Sequence, residues 1–232
     1  MTHLVKNKIQ QKRPIRSYVR REGRITTGQR KAIETLWPKY GLNRNSNTGK
    51  QFFFQRTSPI TLEIGFGNGR NLINLAQNNP QNSYVGIDIY RPGVGRLLIE
   101  LEQNNIHNVK IILEDAVTAL PHFFKENSLA MVLVYFPDPW PKKRHQKRRL
   151  VNPLFLKQIA SRLIEGGDLY VSTDCEDYAK TILNSIEDEQ LLKNIMGPNC
   201  YAKKPLTRLL TKYEARGLRY KQQILDIQAR RL

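Results

Sequence analysis

At 232 residues the chain is long enough to bury the core of one catalytic domain without disulfide or metal support. Lys and Arg number 38 against 20 Asp and Glu, a net charge of +18, so nucleic acid is the expected partner and an acidic membrane surface the second choice. Only Cys175 and Cys200 are present, without C-x-x-C spacing, which excludes a disulfide framework and gives no zinc signature, and no apolar run is long enough to span a membrane.

The amino-terminal stretch to Lys31 carries ten basic side chains against Glu22 alone, a net +9. It lacks the apolar core of a secretory signal, and a transit peptide would be Ser-rich where this stretch has only Ser17, so a cytoplasmic protein is expected. AIETLWPKYG then reads as a short helix ended by Pro38 and Gly41. Residues 43–59 are rich in Asn, Ser, Thr and Gly, interrupted by Phe52, Phe53 and Phe54, and read as a connector partly docked on the main body. The boundary is placed there: a basic arm and connector over 1–58 and a catalytic domain over 59–232.

From Ile60 onward short apolar runs alternate with helical patterns: ITLEI and NLINLAQ, YVGIDI and VGRLLIELEQ, VKIIL and AVTALPHFF, AMVLVYF and LFLKQIASRLI. Such alternation predicts an α/β fold with a parallel sheet. The last of these helices is expected over Leu154 to Ile164, capped by Asn152 with Pro153 in its first turn and stopping before Gly166 and Gly167. DLYVSTD is a fifth strand, Tyr178 to Ile186 a helix, and KQQILDIQAR an edge strand.

TLEIGFGNGR sets Gly65, Gly67 and Gly69 between the first strand and a helix, where backbone N–H groups can approach a cofactor. The G-x-G-x-G spacing puts Arg70 where a dinucleotide fingerprint has its third glycine, so NAD is disfavoured. Glu63 lies two residues before the loop in a strand otherwise apolar, Asp88 ends the second strand nineteen residues after Gly69, and Asp115 follows the third. Each acid alone reads equally well as a helix cap or solvated loop residue. Together they line a crevice for a cation bearing a nucleoside, the description of S-adenosylmethionine, whereas a pyrophosphate would be repelled.

After the fourth strand, Pro137, Pro139 and Pro141 stiffen a loop that presents Asp138 and Trp140. The run PKKRHQKRR follows with six basic side chains and no acid, so it and the amino-terminal stretch together hold fifteen of the eighteen net charges. Between a strand end and a helix, that run reads as a phosphate-binding loop.

At these residues the sequence resembles the tRNA (guanine-N7)-methyltransferase family of the bacterial single-chain type. The likeness runs in order through IRSYVRREGRITTGQ, LEIGFGNG, GIDIYRPGVG, EDAV, FPDPWPKKRHQKRR, VSTD and TKYEARG. It implies a Rossmann-like S-adenosylmethionine-dependent methyltransferase fold, with a mostly parallel seven-stranded sheet covered by helices on both faces. It implies methylation of N7 of guanine 46 in the tRNA variable loop, with no metal and no membrane, by a monomer or homodimer. Carried over position by position, Glu63, Gly65, Gly67, Asp88, Asp115 and Asp138 match cofactor-binding residues, Asp138 doubling as the catalytic residue. Lys142, Asp174, Thr211, Lys212, Tyr213 and Glu214 match substrate-binding positions, and Arg144, His145, Gln146, Lys147, Arg148 and Arg149 the RNA-contacting loop. Asp88 stands where some members have Glu, and Tyr213 where others have Phe. The competing readings are a methyltransferase for another RNA base, and a non-catalytic tRNA-binding protein on the same fold.

Overall fold

A computed structural model describes residues 23–44, 58–205, 208–209, 214 and 223–232. The basic arm as far as residue 22, most of the connector, and Thr211, Lys212 and Tyr213 lie outside the described residues.

Helix α1 (Thr27–Tyr40) begins five residues before the expected Ala32. Thr26 and Gln29 form a reciprocal capping box, each side chain bonded to the other's backbone N–H at 3.2 and 2.9 Å, which satisfies two amides that a helix start leaves open. Pro38 is accommodated inside the last turn, and the helix closes through Gly41 N–H donating to the Trp37 carbonyl. Five strand–helix pairs and two closing strands follow: β1 (Ile60–Ile64), α2 (Arg70–Asn78), β2 (Ser83–Ile87), α3 (Arg91–Gln103), β3 (Val109–Ile112), α4 (Ala116–Phe123), β4 (Leu129–Tyr135), α5 (Pro153–Arg162), β5 (Leu163–Thr173), α6 (Glu176–Glu187), β6 (Leu192–Asn194) and β7 (Leu225–Arg231). A 3-10 helix over Lys143–Arg148 lies between β4 and α5.

The seven strands form one sheet in the order β3-β2-β1-β4-β5-β7-β6, parallel from β3 through β5, with β7 antiparallel to both its neighbours. The period of two sorts each strand's side chains between two cores. Leu62, Ile64, Val85, Ile87, Val132 and Val134 join α4, α5 and α6 on one face. Tyr84, Val109 and Ile111 join α1, α2 and α3 on the other. Seven strands and two helical layers are those of the α/β methyltransferase architecture expected from the sequence.

Two expectations are corrected. β7 is interior, not an edge: β6, only three residues long and too short to show alternation, covers it. The helix expected to reach Ile164 ends at Arg162. β5 starts at Leu163 and bulges through Gly166, at φ +75°, before regaining register at Asp168 opposite Met131. α1, on the arm side of the expected boundary at residue 58, shares the core of α3 through Ala32 and Tyr40. It is also tied to α3 by Lys39 and Tyr40, which reach Glu102 at 2.6 and 2.8 Å.

Candidate active site

The strand order reverses between β1 and β4, and a parallel sheet opens a crevice at the carboxyl ends of its strands at that switch point. The loops after β1 and β4 border it: the glycine loop on one side and the Pro137–Pro141 loop on the other. Register levels the floor, because Ile64 pairs with Ile87 and Val134, and Val134 with Val171, so Gly65, Asp88, Tyr135 and Ser172 begin the strand exits together.

Gly65, Gly67 and Gly69 have φ of +75°, +58° and +73°, the left-handed region that costs other residues steric strain. The three are not equivalent. A Cβ on Gly65 or Gly67 would point into open space, while one on Gly69 would come within 2.6 Å of Leu97 in the core. The first two therefore shape an open cradle, and the third lets α2 pack against α3. Gly93 completes the cradle from below, since a Cβ there would overlap the Gly67 carbonyl at 2.0 Å.

Asp88 is bound into this loop. Its Oδ2 accepts from Gly67 N–H at 2.8 Å and its Oδ1 from Ile89 and Tyr90 N–H at 2.7 and 2.9 Å. Burial raises its pKa and the three backbone donors oppose the rise, so the carboxylate is oriented before anything binds. Glu63 is 4 % exposed, and burial, reinforced by the charge of Asp88, pushes its pKa up to about 8. The side-chain partner found for it is Asn71 Nδ2, donating to Oε2 at 3.3 Å, while Asn71 Oδ1 is buried without a partner. Asp115 caps α4, its Oδ1 accepting from Val117 N–H at 2.9 Å. The capping alternative thus describes what Asp115 does in the fold, and a ligand role remains an expectation.

The proline loop leaves β4 with Phe136 at φ +52° and ends with Trp140 at φ +43°. Non-glycine residues in this region cost on the order of 1–3 kcal/mol each and persist only where neighbours impose them. Phe136 N–H donates to Ser172 O at 2.8 Å, and the Trp140 ring carries the Arg148 guanidinium 4.9 Å from its centroid and meets the His145 ring in a T-shaped contact with centroids 5.8 Å apart. Asp138, between these two points, is exposed. Beyond it Lys142, Lys143, Arg144, Lys147 and Arg148 are exposed, and Gln146 reaches Asp177 at 3.0 Å. His145 has its pKa lowered by desolvation and then by Arg144, Arg148, Lys142 and Lys147, which favours the neutral ring. Arg149, the last residue of the expected RNA-contacting loop, differs from its neighbours in being buried. It is 4 % exposed and its guanidinium is taken up by Pro139, Thr181 and Asp177.

Asp174 is exposed at the end of β5 and does not cap α6, whose cap position is Cys175. It lines a cleft of about 210 Å³ with Glu176, Tyr201, Gln223 and Leu225. Glu214 is buried, and its carboxylate pairs with Lys204 at 2.9 Å and Arg208 at 2.8 Å. Arg208, its side chain wholly buried, also grips both oxygens of Asp226 at 3.0 Å and lies over the Tyr135 and Phe136 rings. This network ties Lys204, Arg208 and Glu214 to the root of the proline loop. Arg208 and Asn71 carry no signal in the sequence: Asn71 lies in a helix with four other polar residues, Arg70, Asn74, Gln77 and Asn78, and Arg208 in a basic segment. Among the described residues no cluster of potential metal ligands occurs and no helix is long and apolar enough to cross a membrane.

Residues 57–227 match the family model described as "Putative methyltransferase". A tRNA (guanine-N(7)-)-methyltransferase of Alkalilimnicola ehrlichii is 46% identical over 95% of this chain and 94% of its own, and one of Methylococcus capsulatus 44% over 94% and 95%. Among solved structures, the 16S rRNA methyltransferase KamB superposes with a TM-score of 0.59 over 80% of this chain and 94% of its own at 12% identity. An rRNA methylase from Streptococcus thermophilus gives 0.51 over 80% and 95% at 14%, and at such identities these two speak for the fold alone. With its glycine cradle, its acids at the switch point and relatives this similar along nearly its whole length, the chain belongs to the tRNA (guanine-N7)-methyltransferase family.

Proposed function

We propose that the protein transfers a methyl group from S-adenosylmethionine to N7 of a guanine in tRNA, position 46 of the variable loop being the expected site. The observation that carries this reading is the switch-point crevice, with an open glycine cradle and a pre-oriented acid on one side and the exposed Asp138 with its basic turn on the other. The names of the relatives supply the nucleotide and the RNA.

The residues fit the cofactor. Gly65 and Gly67 leave room against the backbone that any side chain would fill, and Asp88, held by three N–H groups, is placed to accept ribose hydroxyls. Glu63, as a buried polar group, and Asp115 would extend the polar lining toward the cofactor. When bound, S-adenosylmethionine supplies a methyl group on a cationic sulfur. Guanine N7 offers a lone pair and carries no proton, so the chain need not provide a base to free it. Its task is alignment, an effect worth about 7–11 kcal/mol in well-oriented reactions. Asp138 is assigned the guanine edge, where a carboxylate stabilises the cationic ring that develops as N7 gains its methyl. Trp140, in contact with Arg148 and His145, offers an aromatic surface, and Asp174 with the cleft beside it offers a second acceptor for the base.

Lys142, Lys143, Arg144, Lys147 and Arg148 are exposed on one short turn and, with the basic arm, would neutralise phosphates without reading bases. Selection then rests on the shape of the folded RNA and on a loop base that is cheap to expose. We place the protein in the cytoplasm, where tRNA is met. The test is Asp138→Ala in the full chain. Methyl transfer at saturating tRNA and cofactor should collapse while tRNA affinity is kept, and an equal loss of both would reassign Asp138 to holding the loop.

A further inference from the structure

We propose that Arg149 is a positioning residue, a latch that fixes the proline loop and its basic turn against α6 and so sets Asp138 relative to Asp174, and that it makes no contact with RNA. The proposal rests on the methyl-transfer reading above.

Every nitrogen of the guanidinium is committed inside the protein. Nε donates to the Pro139 carbonyl at 2.9 Å, Nη1 to Thr181 Oγ1 at 3.2 Å and Nη2 to Asp177 Oδ2 at 2.5 Å, while the plane lies 4.8 Å over the Tyr178 ring. The side chain is 4 % exposed, so the guanidinium is shut off from a phosphate outside. Its five basic neighbours from Lys142 to Arg148 are the opposite, all on the surface.

The loop needs such a tie. Three of the five residues from Pro137 to Pro141 are prolines without an N–H, so the segment has few backbone donors with which to hold its own shape. A rigid fork from outside can take its carbonyl, and the planar, spaced donors of Arg suit a carbonyl, a hydroxyl and a carboxylate on different sides at once, where a Lys ammonium is a compact point. The far end is equally placed. Asp177 lies in the first turn of α6, where an acid is favoured by the helix dipole, and the same Oδ2 that holds Arg149 also accepts from Gln146 of the 3-10 helix at 3.0 Å. Tyr178 adds a third tie, its hydroxyl accepting from Val151 N–H at 2.8 Å. α6 starts two residues after Asp174, and Pro139 directly follows Asp138. Arg149 therefore joins the segments that carry the two strand-end acids, and the phosphate-facing charges ride on the turn that ends at Arg149.

The experiment compares wild type with Arg149→Lys, Arg149→Met and Asp177→Asn in the full chain. Readouts are kcat at saturating tRNA and S-adenosylmethionine, cofactor affinity, and tRNA affinity across a salt series, all below the melting temperature. Lys keeps the charge and loses the fork, and an angstrom-scale misplacement costs roughly 10²-fold in rate, so Arg149→Lys should lower kcat by about that factor with both affinities near wild type. Arg149→Met should leave the slope of log affinity against log salt unchanged. Combining Arg149→Lys with Asp177→Asn should cost little more than the worse single change, because both break one contact. A slope reduced by about 0.7 to 0.9 in Arg149→Met would make Arg149 a phosphate ligand and overturn the proposal. So would unchanged kcat in Arg149→Lys, or a fall in melting temperature with kcat and affinities intact. Should the Arg149 variants fail to fold, Asp177→Asn decides: Asp177 is 67% exposed, so its replacement leaves the core intact, and unchanged kcat there refutes the latch. A wild-type protein that methylates no tRNA would refute the functional reading instead.

Discussion

Glu63→Gln should make the protein more stable and useless for cofactor binding. Glu63 is 4 % exposed, and its pKa rises from an ordinary 4.5 to about 8, chiefly through burial. At about 1.4 kcal/mol for each tenfold change in proton affinity, ionising it costs on the order of 4–5 kcal/mol of stability. The folded state holds the proton more tightly than the unfolded chain, so this stability is fully present below pH 4.5, is lost as pH rises toward 8, and stays lost above it. Glutamine has the same shape and no proton to lose. It can accept from Asn71 Nδ2 as Glu63 does at 3.3 Å, and it offers an amide to Asn71 Oδ1, which is buried without a partner. Urea unfolding of wild type and Glu63→Gln from pH 5 to pH 9 should show a gap in favour of the variant that widens to roughly pH 8 and then levels, reaching a few kcal/mol. S-adenosylmethionine should raise the melting temperature of wild type only. A gap that stays constant across that range would mean that Glu63 titrates like a solvated carboxylate, and the account of its burial would be wrong.

Gly69→Ala should destabilise by about 2–5 kcal/mol, from left-handed strain and from a methyl 2.6 Å from Leu97, read as a lower urea midpoint. Gly65→Ala meets open space, so it should cost only the strain of about 1–2 kcal/mol, yet weaken S-adenosylmethionine binding by calorimetry more than Gly69→Ala does in the protein that remains folded. Replacing Lys143, Arg144, Lys147 and Arg148 together with alanine should flatten the salt dependence of tRNA binding by about 0.7 to 0.9 per lost phosphate contact, and an unchanged slope would remove this turn from the RNA interface. Thr26→Ala should cost about 1 kcal/mol by thermal melting through loss of the α1 cap.

The sheet was readable because burial on both faces leaves continuous apolar runs, as in Val132–Val134, and because glycines, Pro153 and Asn152 punctuate the helices. The glycine cradle was readable for the same reason that it works: only glycine suits +75° and +58° with a ligand close by. β6 escaped because three residues carry no period, and β7 was taken for an edge because a strand's alternation does not reveal its neighbours. Arg149 was hidden inside a run of six basic residues. One dimension shows a charge run, but which member turns inward depends on Asp177 and Tyr178, 28 and 29 positions away. Arg208 and Glu214 were likewise set by partners such as Asp226, 18 residues beyond Arg208 in the chain.

Incubation of the protein with unmodified tRNA and methyl-labelled S-adenosylmethionine, followed by digestion to nucleosides, tests the central claim most directly. All label should appear as 7-methylguanosine, and oligonucleotide mapping should place it in the variable loop. Label in any other nucleoside, or none while the protein still binds tRNA, would contradict the account.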